Sequence, residues 1–164
     1  MSPAAGTDVA ATSTHDQEFG AFYAAELDQQ VRRAYLIVGS TDTANDVVHD
    51  AFVAVYRRWG DIEDPGPYLN RAVLNGCRDV CRRRVRHDLW LHRLAVRDQD
   101  QGPSTDDMLN DILEGLPFNH RAAVVLRYYA QFTTAEIAEA LGCAPGSVGP
   151  WIGRALDQMR KALT

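Results

Sequence analysis

Five arginines within nine residues, Arg78, Arg82, Arg83, Arg84 and Arg86, form the densest charge in the chain. Together with Arg71 and Asn75 upstream, they are side chains suited to nucleic acid. A guanidinium fork grips phosphate, and a carboxamide can hydrogen-bond a base edge. A second set, Asp46, His49 and Asp50, falls away from the apolar face of its helix. A third pattern lies near the C-terminus, where Thr133-Thr134-Ala135-Glu136 is a capping box opening a short helix that Gly142 ends. A longer helix follows to about Leu163, which completes a helix-turn-helix pattern whose second helix is shaped for a DNA major groove. A plain αα-hairpin is the competing reading of that pattern, and a solvated helix end that of the arginine cluster. No Ser/His/Asp set, phosphate-binding glycine loop or paired carboxylate site emerges, so no enzymatic activity is expected. Cys77 and Cys81 lie four residues apart without a further ligand pair nearby. They read as buried reduced thiols, and neither metal nor cofactor is expected.

These side chains need helices to position them, and the apolar spacing supplies helices throughout. Phe19, Phe22, Tyr23, Leu27, Val31, Ala34, Tyr35 and Val38 recur at three- and four-residue steps. Gly39 suits the end of that helix, and Ser40, Thr41 and Asp42 offer caps for the next. The next helix turns Val47, Val48, Ala51, Phe52, Val55 and Trp59 inward. Gly60, Pro65, Gly66 and Pro67 predict a loop, and a third helix is expected over about Tyr68 to Arg86. Periodicity resumes at Met108, breaks at Pro117, and continues over about Asn119 to Tyr129. No strand-like alternation of useful length occurs. The fold class is all-α: two small helical domains joined by a flexible acidic linker. The expected organisation is a disordered tail over 1–17, a first domain over 18–90, a linker over 91–107 and a second domain over 108–164.

The 164 residues carry 17 Lys+Arg and 22 Asp+Glu, a formal charge of −5 that would ordinarily argue against a nucleic-acid partner. Charge is segregated, however. Residues 1–65 hold 4 basic and 11 acidic side chains, and residues 66–97 hold 8 and 2. Residues 98–119 hold 0 and 6, and residues 120–164 hold 5 and 3. Blocks of opposite sign imply two kinds of partner surface on one chain. No apolar run approaches the ~18 residues of a membrane span, and the start lacks signal-peptide features, so a cytoplasmic location is expected.

Leu116-Pro117, Arg121, Val125-Leu126, Tyr128, Glu136-Ile137-Ala138 and Leu141-Gly142 resemble region 4 of the sigma-70 family. Asp46-Val47-Val48-His49-Asp50-Ala51-Phe52 followed by Trp59 resembles its region 2.2, and Tyr68-Leu69 with Arg71, Asn75 and the arginine cluster resembles region 2.4. Order, spacing and linker resemble an extracytoplasmic-function (group 4) sigma factor over about residues 18–163. The resemblance implies a factor that directs core RNA polymerase to promoters and assists their melting, with docking on the β′ clamp helices and the β flap. It implies contact with the clamp by Asp46, His49 and Asp50. His49 and Asp50 depart from the family's usual Gln and Glu. It assigns the −10 element to Tyr68, Arg71, Asn75, Arg78 and Arg82, with loop residues about Gly60 to Pro67 lining a flipped-base pocket. Trp59 reads as a core anchor, whereas Tyr68 is divided between core and stacking roles. The −35 element falls to Thr133, Ser147, Trp151 and Arg154. Asp98, Asp100, Asp106 and Asp107 are read either as an acidic strap for a basic polymerase channel or as a spacer. An anti-sigma factor is a further partner the resemblance implies.

The recognition segment departs from the family pattern, because Gly149 and Trp151 stand where Lys or Arg is usual and Pro150 lacks an N–H. A late helix start, with Ser147 as N-cap and Pro150 in the first turn, is the expected accommodation. Weak or atypical −35 readout follows. Two rivals remain: a degenerate sigma-like interaction module that binds polymerase or a regulator without reading DNA, and an ordinary helix-turn-helix repressor.

Overall fold

A computed structural model describes residues 6–91 and 105–164, and every regular element among them is helical. Three long helices come first: α1 (Gly6–Val38), α2 (Thr41–Arg57) and α3 (Pro65–Leu91). Four more follow: α4 (Thr105–Glu114), α5 (Phe118–Val124), α6 (Thr134–Leu141) and the longer α7 (Pro145–Leu163). The expected linker, with Asp98 and Asp100, lies mostly outside the described residues. Asp106 and Asp107 belong to α4.

The predicted stops and starts have clear physical causes. Gly39 ends α1 at φ +74°, a left-handed conformation costly for residues with a Cβ, and its N–H donates to the Tyr35 carbonyl at 2.7 Å. Ser40 then caps α2, its hydroxyl accepting from the Thr43 N–H at 3.3 Å. At the first end, the structure departs from the expected tail. α1 reaches back to Gly6, through Ala- and Thr-rich residues that show no apolar stripe. Tertiary contact accounts for the extension: the Tyr56 hydroxyl donates to Asp16 at 2.9 Å, and Phe19 meets Tyr56 and Trp59 edge-on at 5.0 and 5.4 Å. Those rings make Trp59 a core anchor, as expected. α3 also starts early, at Pro65, because the N–H that proline lacks would be unpaired in a first turn anyway. Pro65, Gly66 and Pro67 are therefore helical, and the connecting loop shortens to about Arg58–Asp64.

α1, α2 and α3 bury Ile37, Val48, Val55, Leu69, Val73 and Cys77, while α5 to α7 bury Leu126, Ile137, Leu141, Val148 and Ile152. These two sets join in one continuous apolar cluster, so the halves pack on each other. Burial pushes the Cys77 thiol up to about 12, which keeps it protonated and inert at neutral pH. Between α5 and α6 the helix widens into a π-turn, Val125–Tyr129, where the Ala130 N–H reaches the Val125 carbonyl at 3.1 Å. That turn leaves Tyr128 and Tyr129 exposed.

One glycine is set by close approach. A Cβ at Gly76 would stand 2.8 Å from Cγ1 of the buried Val47, so α2 and α3 meet here without room for a methyl. Gly20, also inside a helix, has nothing within 4 Å of the same position. Gly20→Ala should therefore raise stability by about 0.5–1 kcal/mol through helix propensity. Gly76→Ala should lower it, because overpacking of about 1–3 kcal/mol exceeds the same propensity gain. Denaturant midpoints of the two variants should move in opposite directions, and parallel shifts would refute this packing.

Candidate functional site

Asp46, His49 and Asp50 are all exposed on α2, at spacings that put them on one face. Asp42 in the first turn sits favourably at the positive end of the helix, and Ala44, Val47, Val48 and Ala51 turn the opposite face into the core. Burial of that apolar face leaves the carboxylates free for a partner.

Arg71, Asn75, Arg78, Arg82 and Arg86 recur every three or four residues along α3 and so form one stripe, about 22 Å long at 1.5 Å per residue. Rotation about the helix separates them from Arg84. That side chain turns inward, donating to the Val38 carbonyl at the end of α1 and to Thr43 at the start of α2. Arg84 is thus structural. Asn75 is exposed and accepts from Arg78 at 3.2 Å. Tyr68 is half-buried at the head of α3, with the Arg58 guanidinium 5.8 Å from its ring centre.

The helix-turn-helix follows its expected chemistry at α6 and departs from it at α7. Thr133 and Glu136 form the reciprocal box: the Thr133 hydroxyl accepts from the Glu136 N–H at 3.2 Å, and the Glu136 carboxylate accepts from the Thr133 N–H at 3.4 Å. Gly142 ends α6 at φ +67°. α7 then begins at Pro145 with Ala144 as its cap, so the late start at Ser147 is not adopted and Pro150 lies inside the helix. Two features make this tolerable. Gly149 has no Cβ to clash with the Pro150 ring, and an added Cβ at Gly146 or Gly149 would meet nothing within 4 Å. Gly146 and Pro150 are both exposed, so the carbonyl that Pro150 deprives of a donor belongs to the solvent side of the helix. Gly146, Gly149 and Gly153 leave this exposed face nearly bare, with Arg154 beside it and Ser147 half-buried. Trp151 does not join that face; it is half-buried and lines a cleft between α3 and the second half.

The expected DNA-facing residues also meet one another. Arg71 donates to the Glu139 carbonyl at 3.5 Å and Arg78 to the Leu141 carbonyl at 3.3 Å, so the C-terminal end of α6 sits on the α3 stripe. Cations suit the negative end of a helix dipole. Arg78 also lies 5.1 Å from the centre of the Phe118 ring. Nearby, the buried Gln30 donates to Asn70 at 2.7 Å, and Arg33 lies 5.0 Å from the Phe132 ring centre. Burial lowers the Arg33 pKa against the opposing influence of Glu26 and Tyr129.

Arg121 is the residue whose role sequence reasoning missed. It is 8% exposed, donating to the Ile37 carbonyl of α1 at 2.7 Å and to the Glu114 and Leu116 carbonyls at 3.0 and 2.9 Å. One guanidinium thereby ties the first half to the second. The available signal was its setting, an arginine followed by Ala122, Ala123, Val124, Val125 and Leu126. A cation in so apolar a helix must find partners inside.

Comparison with known proteins gives a consistent picture. Family models match the chain in two places: "Sigma-70 region 2" over residues 22–87 and "Sigma-70, region 4" over residues 106–159. The RNA polymerase sigma-E factor of Streptomyces avermitilis is 32% identical over 152 residues, 89% of this chain and 85% of that protein. The RNA polymerase sigma factor SigV of Bacillus subtilis is 26% identical over 140 residues, 81% and 83% of the two chains. Among solved structures, the sigma factor RpoE in complex with the anti-sigma factor NepR, from Bartonella quintana, superposes with a TM-score of 0.71 at 19% identity. That match covers 90% of this chain and 97% of the other, and it speaks to fold alone. CnrH in complex with the cytosolic domain of CnrY gives a TM-score of 0.68 at 26% identity, covering 90% and 88%.

Removal of the Arg121 fork should be felt across the whole molecule. Arg121→Ala leaves the buried Ile37 and Leu116 carbonyls and the part-buried Glu114 carbonyl without their donor and opens a void, which should cost about 3 kcal/mol or more. Arg121→Lys should recover little, since one ammonium cannot reproduce the planar fork. Denaturant midpoints of the two variants check this, and full recovery by lysine would show that charge alone matters.

Proposed function

We propose a role that proceeds from one premise: the chain belongs to the sigma-70 family, in its extracytoplasmic-function group, and carries regions 2 and 4 of that family. It is an RNA polymerase sigma factor, directing core polymerase to specific promoters and assisting their melting. The single observation that carries this is the match of both regions, in order, onto two helical halves that present an acidic α2 face and an arginine-rich α3 stripe.

The division of labour among residues is our reading. Asp46, His49 and Asp50 meet the basic clamp helices of β′, where complementary charge speeds encounter. The β flap is the site for region 4. Arg71, Arg78 and Arg82 hold phosphates of the −10 strand, Asn75 reads a base edge and Tyr68 borders the loop where an unstacked base is received. Thr133, Ser147 and Arg154 lie on the −35 side. Trp151 serves that side only if the halves separate, because here it faces the cleft. An anti-sigma factor is a further partner, in keeping with the solved structure of RpoE held by the anti-sigma factor NepR. No described helix is long and apolar enough to cross a membrane. A sigma factor acts where polymerase is, which places this one in the cytoplasm, and its role involves no catalysis of its own.

Promoter reading requires a change of arrangement. The Arg71 and Arg78 guanidiniums that reach DNA phosphates are engaged by α6 carbonyls in the isolated chain. α6 must move off α3 before the strand enters. Polymerase drives this by binding the two halves at separate places, a differential affinity for the open form.

Run-off transcription on genomic fragments, with core polymerase and with or without the chain, should give specific new transcripts. Core binding without transcripts would instead support the interaction module, and duplex binding without core would support a repressor. The bare α7 face makes a second outcome accessible. Gly149→Arg has open space for its side chain and should tighten binding of a −35 duplex several-fold, steepening the salt dependence by about one phosphate contact. Unchanged affinity and slope in a titration at several salt concentrations would remove this face from DNA.

A further inference from the structure

The cleft between α3 and the α5–α7 half encloses about 780 Å³, a size typical of small-molecule sites. Its α3 wall carries Arg78, Arg82 and Arg86, one per turn, over about 12 Å of helix. The opposite wall carries His120, Arg121 and Trp151, and among the described residues Glu114 is the single acidic side chain in the lining. Two of these groups are incompletely satisfied. The Nε of Arg121, in a side chain otherwise held by carbonyls, and the Nδ1 of His120 are buried without a hydrogen-bond partner. Arg82 and Arg86 are exposed to the cleft, so with Arg78 three guanidiniums face a space with almost no counter-charge.

We propose that this cleft is a binding site for a nucleoside polyphosphate, which bridges the two halves. Guanidiniums spaced along a helix suit a short run of phosphates, and they bind phosphate in fork geometry. Trp151 offers an aromatic face for the base, with Phe118 behind Arg78. Length distinguishes this ligand from a nucleic-acid strand. Toward Arg71 the stripe runs under α6, held there by the Arg71–Glu139 and Arg78–Leu141 hydrogen bonds. A short ligand fits before that barrier, whereas a continuing strand meets α6. Because both halves contribute groups, the bound ligand holds the closed arrangement and opposes promoter entry. The binding step depends on this geometry alone and is tested without transcription.

Calorimetric titration of the full chain with ATP, with inorganic triphosphate and with a short oligo-dT of equal phosphate number tests the site. ATP should bind at least ten-fold more tightly than inorganic triphosphate, consistent with a base stacking on an aromatic ring. Trp151→Ala should remove that ten-fold advantage while leaving triphosphate binding in place. The double variant Arg82→Gln/Arg86→Gln, at exposed positions that preserve the fold, should weaken both ligands ten-fold or more. Equal affinity for ATP and triphosphate in the unaltered chain, or ATP binding indifferent to the double variant, would overturn the proposal. So would tighter binding of oligo-dT than of ATP, since that would make the cleft a strand site.

Discussion

A buried guanidinium held by backbone carbonyls sets the geometry of this molecule. Arg121 lies in the apolar core between the halves, and a charge in such a place must be met by oriented dipoles. The dipoles come from two chain ends: the closing turn of α1, through Ile37, and the turn between α4 and α5, through Glu114 and Leu116. Both are helix C-terminal regions, where carbonyls lack intrahelical donors and carry partial negative charge. Arg84 does the same to the adjacent Val38 carbonyl from within the first half. The end of α1 is therefore satisfied from both sides by arginines.

The same principle recurs at the other end of the interface, with a different consequence. The last carbonyls of α6 accept from Arg71 and Arg78, side chains exposed enough to leave. Arg121 cannot leave without stranding buried groups, while Arg71 and Arg78 can exchange one set of oxygens for another. Core-side and surface-side arginines thus divide into costly and readily exchanged ties, and exposure decides which is which. The net charge of −5 fits this division. An acidic α2 face and a stripe partly occupied by its own chain keep long-range attraction to nucleic acid low until the halves part.

Local chemistry is legible in the sequence where one residue decides one backbone feature. Gly39 and Gly142 mark the left-handed helix ends, Ser40 the cap of α2, and Thr133 with Glu136 the capping box. Helical spacing likewise puts Asp46, His49 and Asp50 on an exposed face. What escapes depends on partners distant in sequence. The first turns of α1 have no stripe, and their helix rests on pairings such as Asp16 with Tyr56, forty residues away. Pro150 belongs in a first turn by sequence rules, because a proline within a helix costs an N–H and a clash. Only the open space around Gly146 and Gly149 shows why that cost is bearable here. Trp151 falls on the groove face by its place in a motif, yet about a hundred degrees of rotation per residue carries it to the cleft. The role of Arg121 is hidden for a similar reason, since its acceptors are backbone carbonyls that no sequence pattern announces.

The closed arrangement also constrains how strongly the isolated chain can hold a promoter. Hydrogen bonds involving a charged group contribute about 1.5–3 kcal/mol each. The two exchangeable bonds are long, at 3.5 and 3.3 Å, and lie near the surface, which places them at the lower end. They oppose opening only weakly; parting the shared apolar cluster and drawing Arg121 away from the Ile37 carbonyl oppose it far more. The open form is therefore a minor population of the isolated chain, and apparent affinity for the −10 strand falls by the fraction that is open. Phosphates that engage the arginines after opening merely take the place of the α6 carbonyls, so DNA alone gains little from the exchange. A partner that binds both halves at a fixed separation changes this balance, because it meets the cost of opening once and leaves the guanidiniums free. On the assignment proposed for Arg71 and Arg78, the dependence of DNA binding on polymerase then follows from the competition of two acceptors, carbonyl and phosphate, for one set of arginines.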